Sequence, residues 1–283
     1  MFRTRLLSGI LLVVIALGVL LRGGTLMAVV LFAVSLIAYQ ELTTACKVRG
    51  EGRRPGSPVL VGMVMTLVYY GAVGLALAWD ITLVYRVMVM VIVAAFLVFL
   101  FVYVFTFPRY HADQIMAAMF SFFYGPVMLS FLYLLREGFD DGNYLVWFVF
   151  LASWGSDTCA YCVGVLIGKH KMTPKLSPKK SVEGAVGGVL GAALLFVLYT
   201  HFVINQYSMM TLSLPLAAVL GAAGAFVSMI GDLAASAVKR DHEIKDYGKL
   251  IPGHGGIMDR FDSVIVAAPI VFIGISLIVS LTG

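Results

Sequence analysis

The sequence predicts an all-α, polytopic integral membrane protein with about nine transmembrane helices and a cytoplasmic N-terminus. Three observations carry that expectation. Hydrophobic residues make up 61% of the 283 positions and charged residues only 12%, whereas a water-soluble domain carries roughly 25% charged residues. The apolar residues gather in runs of about 20, the length that crosses a hydrocarbon core of ~30 Å. The Lys and Arg residues fall mainly on one side of those runs.

Taken in order, the runs lie near residues 6–21, 25–44, 58–79, 82–106, 114–135, 144–167, 185–205, 214–238 and 263–281. The first follows Arg3 and Arg5. It reads as a span and not as a secretory signal, because no small-residue cleavage site closes it and Arg22 and a second span follow. Residues 45–57 form a polar Gly/Pro loop suited to lipid headgroups, and residues 136–143 a plain connection in which Asp140 and Asp141 are expected to be solvated. With nine spans, alternate loops hold seventeen of the twenty Lys and Arg on one side, leaving Arg22, Arg86 and Arg136 on the other. The positive-inside bias then puts the N-terminus and both long basic loops in the cytoplasm. The same bias, with contact to anionic lipid, accounts for the net charge of +5 without a nucleic-acid partner. Three cysteines are too few for a disulfide framework, and Cys159 and Cys162 are expected to pack inside a span. No internal repeat marks an inverted-repeat transporter.

Two stretches carry chemistry. In the first, Trp154 to Gly184, Asp157 lies well inside an apolar run, and Asp157, Tyr161, Gly164 and Gly168 fall on one helical stripe. An ionised Asp at mid-membrane costs roughly 2.5–3.5 kcal/mol on insertion scales, so it faces a polar cavity or a partner. A protonated Asp hydrogen-bonded between helices is the plainer alternative. The stripe runs into Lys169, Lys171, Lys175, Lys179 and Lys180, with Ser177, Ser181 and Glu183 ahead of a Gly-rich helix start. Ammonium groups beside a helix N-terminus supply positive potential for a polyphosphate. Lys169 and Lys171 read equally well as solvated positive-inside charge.

The second stretch, Ser236 to Asp262, concentrates charge between two apolar runs. On a helix continuing the preceding run, Asp232, Ser236, Lys239 and Arg240 share one face. Gly253, Gly255 and Gly256, around His254, break the helix and let backbone approach a ligand. Asp259 and Asp262 then re-enter an apolar segment as one acidic edge, with Arg260 between them. Clustered carboxylates repel unless a cation neutralises them. Hard oxygen ligands suit Mg2+, which takes one or two carboxylates and fills its other positions with water and phosphate. Lys and Arg beside them suit phosphate oxygens. The residues alone indicate a metal-plus-phosphate site at a membrane boundary.

This second stretch resembles the signature of the phosphatidate cytidylyltransferases (CDP-diacylglycerol synthases). Ser236, Lys239, Arg240, Lys245, Asp246, Gly248, Pro252, His254, Gly255, Gly256, Asp259, Arg260 and Asp262 stand at its fixed positions, and residues 177–184, SPKKSVEG, are similar to the family's second recurring segment. The resemblance implies transfer of a cytidylyl group from CTP to phosphatidate, giving CDP-diacylglycerol and pyrophosphate, with membrane lipid as the medium. On that reading Asp232 and Asp259 hold Mg2+, and Asp262 and Asp157 are further ligands or neighbours, enough carboxylates for a second cation. Lys239, Arg240, Arg260 and Ser236 act on phosphates or metal, and His254 either carries a proton or shapes its loop. Tyr161, Ser177, Lys179, Lys180, Glu183, Lys245, Gly255 and Gly256 bind substrate. Residues 1–112 are expected to be scaffold helices or a homodimer contact. Residues 113–283 are expected to be the catalytic region, with cytoplasmic loops 169–184 and 239–262, in a bacterial inner membrane. A transporter using the intramembrane Asp residues is the alternative. A CDP-alcohol phosphotransferase is disfavoured, since its Asp-Gly-x-x-Ala-Arg opening is absent.

Overall fold

The computed structural model describes residues 2–48, 55–251, 253 and 255–282. Each predicted run is a helical rod: α1 (Phe2–Arg22), α2 (Gly24–Ala45), α3 (Ser57–Leu77), α4 (Ile81–Thr106), α5 (Ala112–Glu137), α6 (Gly142–Ile167), α7 (Val182–Tyr207), α8 (Leu214–Asp241) and α9 (Met258–Thr282). Among the described residues α2 to α9 are long and apolar enough to cross a membrane, and α1 contributes the shorter apolar helix Gly9–Arg22. The all-α membrane fold is therefore as expected, with eight clear spans.

The chain folds as two compact units that interleave along the sequence. The first comprises Met1–Tyr133 and His242–Arg260, the second Leu134–Asp241 and Phe261–Gly283. Inside the first unit, apolar packing is reinforced by hydroxyl pairs, because a polar side chain facing hydrocarbon must find its partner within the protein. Ser35 pairs with Tyr70 at 2.7 Å and Tyr69 with Ser130 at 2.9 Å, and the Tyr39 hydroxyl donates to the Pro58 carbonyl at 3.1 Å. In α5, Pro126 lacks an amide and sits in a π-helical turn, Phe123–Val127, which absorbs the missing bond.

The second unit relies on small residues. A methyl group added at Gly188 of α7 would lie 2.9 Å from the Ser156 carbonyl and 3.0 Å from the Ala160 Cβ of α6, so these helices meet almost backbone to backbone. Cys159 is half-buried against Gly191 in the same interface, whereas Cys162, also expected to pack inside the span, is exposed. Asp141, expected to be solvated, instead accepts hydrogen bonds from the Met209 and Met210 amides at 3.1 and 2.8 Å. Two backbone donors left over beyond the end of α7 give it that role.

The stretch from 169 to 184, expected as a loop, contains a small antiparallel hairpin: β1 (Lys171–Thr173) pairs with β2 (Ser177–Ser181), Lys171 opposite Ser181 and Thr173 opposite Ser177. Pro178 is tolerated because a two-stranded ribbon has only edge strands. Ser181 ends the hairpin and caps α7, its hydroxyl accepting from the Gly184 amide at 3.1 Å.

Candidate active site

The second unit contains a cavity of about 490 Å3 whose polar wall is made by Asp157, Lys171, Lys179, Lys180, Ser181 and Asp232. A π-helical turn at Leu151–Gly155 ends directly before Ser156 and Asp157 of α6, and such turns re-aim the residues that follow them. Tyr161 and Gly164, one and two turns further along the same helix, continue the wall. The helical stripe from Asp157 to Gly164 thus faces one ligand-sized space. Asp232 reaches the cavity from α8, and Lys179 and Lys180 reach it from β2.

The ammonium of Lys180 forms an ion pair with Asp232, with about a quarter of each side chain exposed. Asp157 feels the charges of both. Asp262 of α9 lies close enough to Asp232, Lys239 and Asp157 to feel theirs. Three carboxylates and two ammonium groups therefore share one region of low dielectric. The excess is negative, so a divalent cation would lower the repulsion, and a polyphosphate carrying one would find Lys179 and Lys180 in the same cavity. Among the described residues no three His, Cys, Asp or Glu side chains converge tightly enough to hold a metal by themselves. The donor set still suits Mg2+, which takes one or two carboxylates and leaves its other positions to water and phosphate.

α8 continues unbroken to Asp241, which places Asp232, Ser236, Lys239 and Arg240 on a single helix as expected. Ser177 belongs to β2 but does not line the cavity, whereas Lys171, readable as plain solvated charge, does. Glu183 makes local contacts. Its carboxylate accepts from the amides of Lys169 and His170 at 3.1 and 3.2 Å and meets His170 Nδ1 at 2.6 Å, which ties the first turn of α7 to the chain entering the hairpin.

The signature loop belongs to the first unit. Gly253 and Gly255 adopt φ of 78° and 88°, the left-handed region that glycine enters freely, and Ile251 bridges to Gly255. Asp259 Oδ2 accepts from the Tyr247 amide at 2.8 Å and the Gly256 amide at 3.0 Å. Lys245 and Arg260 are exposed. His254 and Pro252 lie outside the described residues.

Sequence reasoning missed one carboxylate. Glu41, near the end of α2, is only 9% exposed and accepts from the amides of Ile257 and Met258 at 3.1 and 2.8 Å. The available signal was the same as for Asp157, an acidic residue inside an apolar run.

The fold and the cavity define a class: an integral membrane protein whose acidic and basic side chains gather around a space suited to a cation-bound phosphate ligand. The chain belongs to the cytidylyltransferase family, whose profile matches residues 3–278. It is 29% identical over 271 residues to the phosphatidate cytidylyltransferase of Staphylococcus haemolyticus, covering 95% of this chain and 96% of that one. It is 34% identical over 128 residues to that of Haemophilus influenzae, covering 45% and 44%, and 30% identical over 171 residues to that of Mycobacterium bovis, covering 60% and 54%. In these last two the match spans about half the length of the relative.

Proposed function

We propose that the chain transfers the cytidylyl group of CTP to phosphatidate, forming CDP-diacylglycerol and pyrophosphate in a bacterial inner membrane, with the site open to the cytoplasm. The observation that carries this reading is the shared cavity of Asp157, Asp232, Lys179 and Lys180, to which the family-like segment 177–184 contributes both lysines. A phosphate oxygen of phosphatidate attacks the α-phosphorus of CTP in line. The new P–O bond forms as the bond to the β-phosphate oxygen breaks, and the electron pair leaves with pyrophosphate. Phosphatidate already offers an ionised oxygen near neutral pH, so no general base is required.

Such a reaction needs positioning and charge neutralisation more than covalent help. Lys179 and Lys180 hold the triphosphate from the hairpin, and Lys239, Arg240 and Arg260 hold phosphate oxygens of CTP or lipid. Ser236, Lys245, Tyr161 and the backbone at Gly255 and Gly256 complete the substrate contacts. The sequence assignment of Mg2+ to Asp232 and Asp259 is kept. When bound, the ion draws electron density from the phosphoryl oxygens and neutralises the charge that develops on the leaving group. Helices α1 to α4 serve as scaffold or as a dimer contact. A transporter reading of the intramembrane Asp residues leaves the Lys-rich hairpin without a task.

Purified protein in detergent should convert labelled CTP into a lipid-soluble cytidylyl product only when phosphatidate and Mg2+ are both present. Uptake of a solute into proteoliposomes with no CTP turnover would overturn the proposal.

A further inference from the structure

We propose that Glu41 is a positioning residue for the signature loop: its carboxylate sets the location and rotation of the first turn of α9, and so the direction in which Asp259 and Arg260 point. The inference rests on the proposed function for its kinetic consequence, but the contact stands on geometry alone. All the groups involved belong to the first compact unit.

Three successive backbone amides enter α9, those of Gly256, Ile257 and Met258. The first donates to Asp259 Oδ2 at 3.0 Å, the second to Glu41 Oε1 at 3.1 Å and the third to Glu41 Oε2 at 2.8 Å. The opening amides of a helix have no partner within it, and a negative charge there is favoured by the helix dipole. Aspartate, asparagine, serine or threonine from the adjoining chain ordinarily fills that place. Here the group comes from a different span, 216 residues away in sequence. Because it uses both oxygens on consecutive amides, it fixes the rotation of the turn about its axis as well as its position.

A second observation is independent of those hydrogen bonds. Gly248 and Gly256 both pass so near the Glu41 carboxylate that a methyl group on either would collide with it. Both glycines stand at fixed positions of the signature stretch. Their small size is explained by the carboxylate they close around, as the backbone could not otherwise reach it. Glu41 is buried with both oxygens turned to backbone, so its effect on the reaction passes through the loop and not through contact with substrate.

The test has two arms on the full-length protein in detergent. Amide hydrogen exchange, read without substrate, should show Ile257 and Met258 protected in the natural chain and exchanging at least tenfold faster in Glu41→Gln. Steady-state kinetics should show that variant losing kcat about tenfold or more, with KM for CTP and the unfolding temperature nearly unchanged. Unchanged exchange in Glu41→Gln, retained kcat, or a kcat loss explained by unfolding would each overturn the proposal. If the natural chain has no cytidylyl transfer activity, the proposed function falls, while the exchange arm and the unfolding temperature still decide whether Glu41 holds the loop.

Discussion

The two compact units use carboxylates in opposite ways. In the first, Glu41 and Asp259 commit oxygens to backbone amides at the head of α9. In the second, Asp157 and Asp232 turn toward a cavity, where Asp232 meets an ammonium group. The charged group is a carboxylate in both, and the partner decides the role. A carboxylate whose partners are fixed amides orders the chain, whereas one facing a side-chain ammonium and open volume can exchange that partner for a ligand.

The largest expected effect breaks the second unit. Asp232→Asn should lower kcat by about a hundredfold or more, the order seen when one preorganised electrostatic group is removed, while folding is retained; full activity would remove Asp232 from the site. Next comes Lys180→Ala. Loss of one charge-assisted contact to phosphate, about 1.5–3 kcal/mol, should reduce kcat/KM by roughly 10–100-fold, measured with varied CTP. The smallest effect sharpens the contrast in packing. Gly188→Val places a branched side chain against Ser156 and Ala160, and overpacking of this kind costs about 1–3 kcal/mol. A lowered unfolding temperature with residual activity per folded molecule is expected; an unchanged temperature would mean that α6 and α7 pack less closely than described.

The spans were legible because hydrophobic length is a local property, and each of the nine runs became a helical rod. Asp157 was legible from the cost of placing a carboxylate in an apolar run, Asp232 from the helical face it shares with Ser236, Lys239 and Arg240, and the signature residues from their spacing. Other features left no local trace. Glu41 acts on backbone 216 residues away, and amides have no sequence signature. The hairpin was hidden because two prolines and a dense run of lysines mask strands of three and five residues. Glu183, expected to bind substrate, accepts from the Lys169 and His170 amides and meets the His170 ring, contacts made only once the hairpin has formed. Residues 242–260 cluster with the N-terminal helices, a grouping that arises only when distant segments pack.

The most direct test is equilibrium binding of Mn2+, a paramagnetic stand-in for Mg2+, to the detergent-solubilised protein in the presence of CTP, read from the signal of the free ion. Asp232→Asn should weaken binding at least tenfold, whereas Glu41→Gln, which acts only through the direction of Asp259, should weaken it less. Equal losses in both variants, or undiminished binding in Asp232→Asn, would contradict the division between ligand-binding and chain-ordering carboxylates.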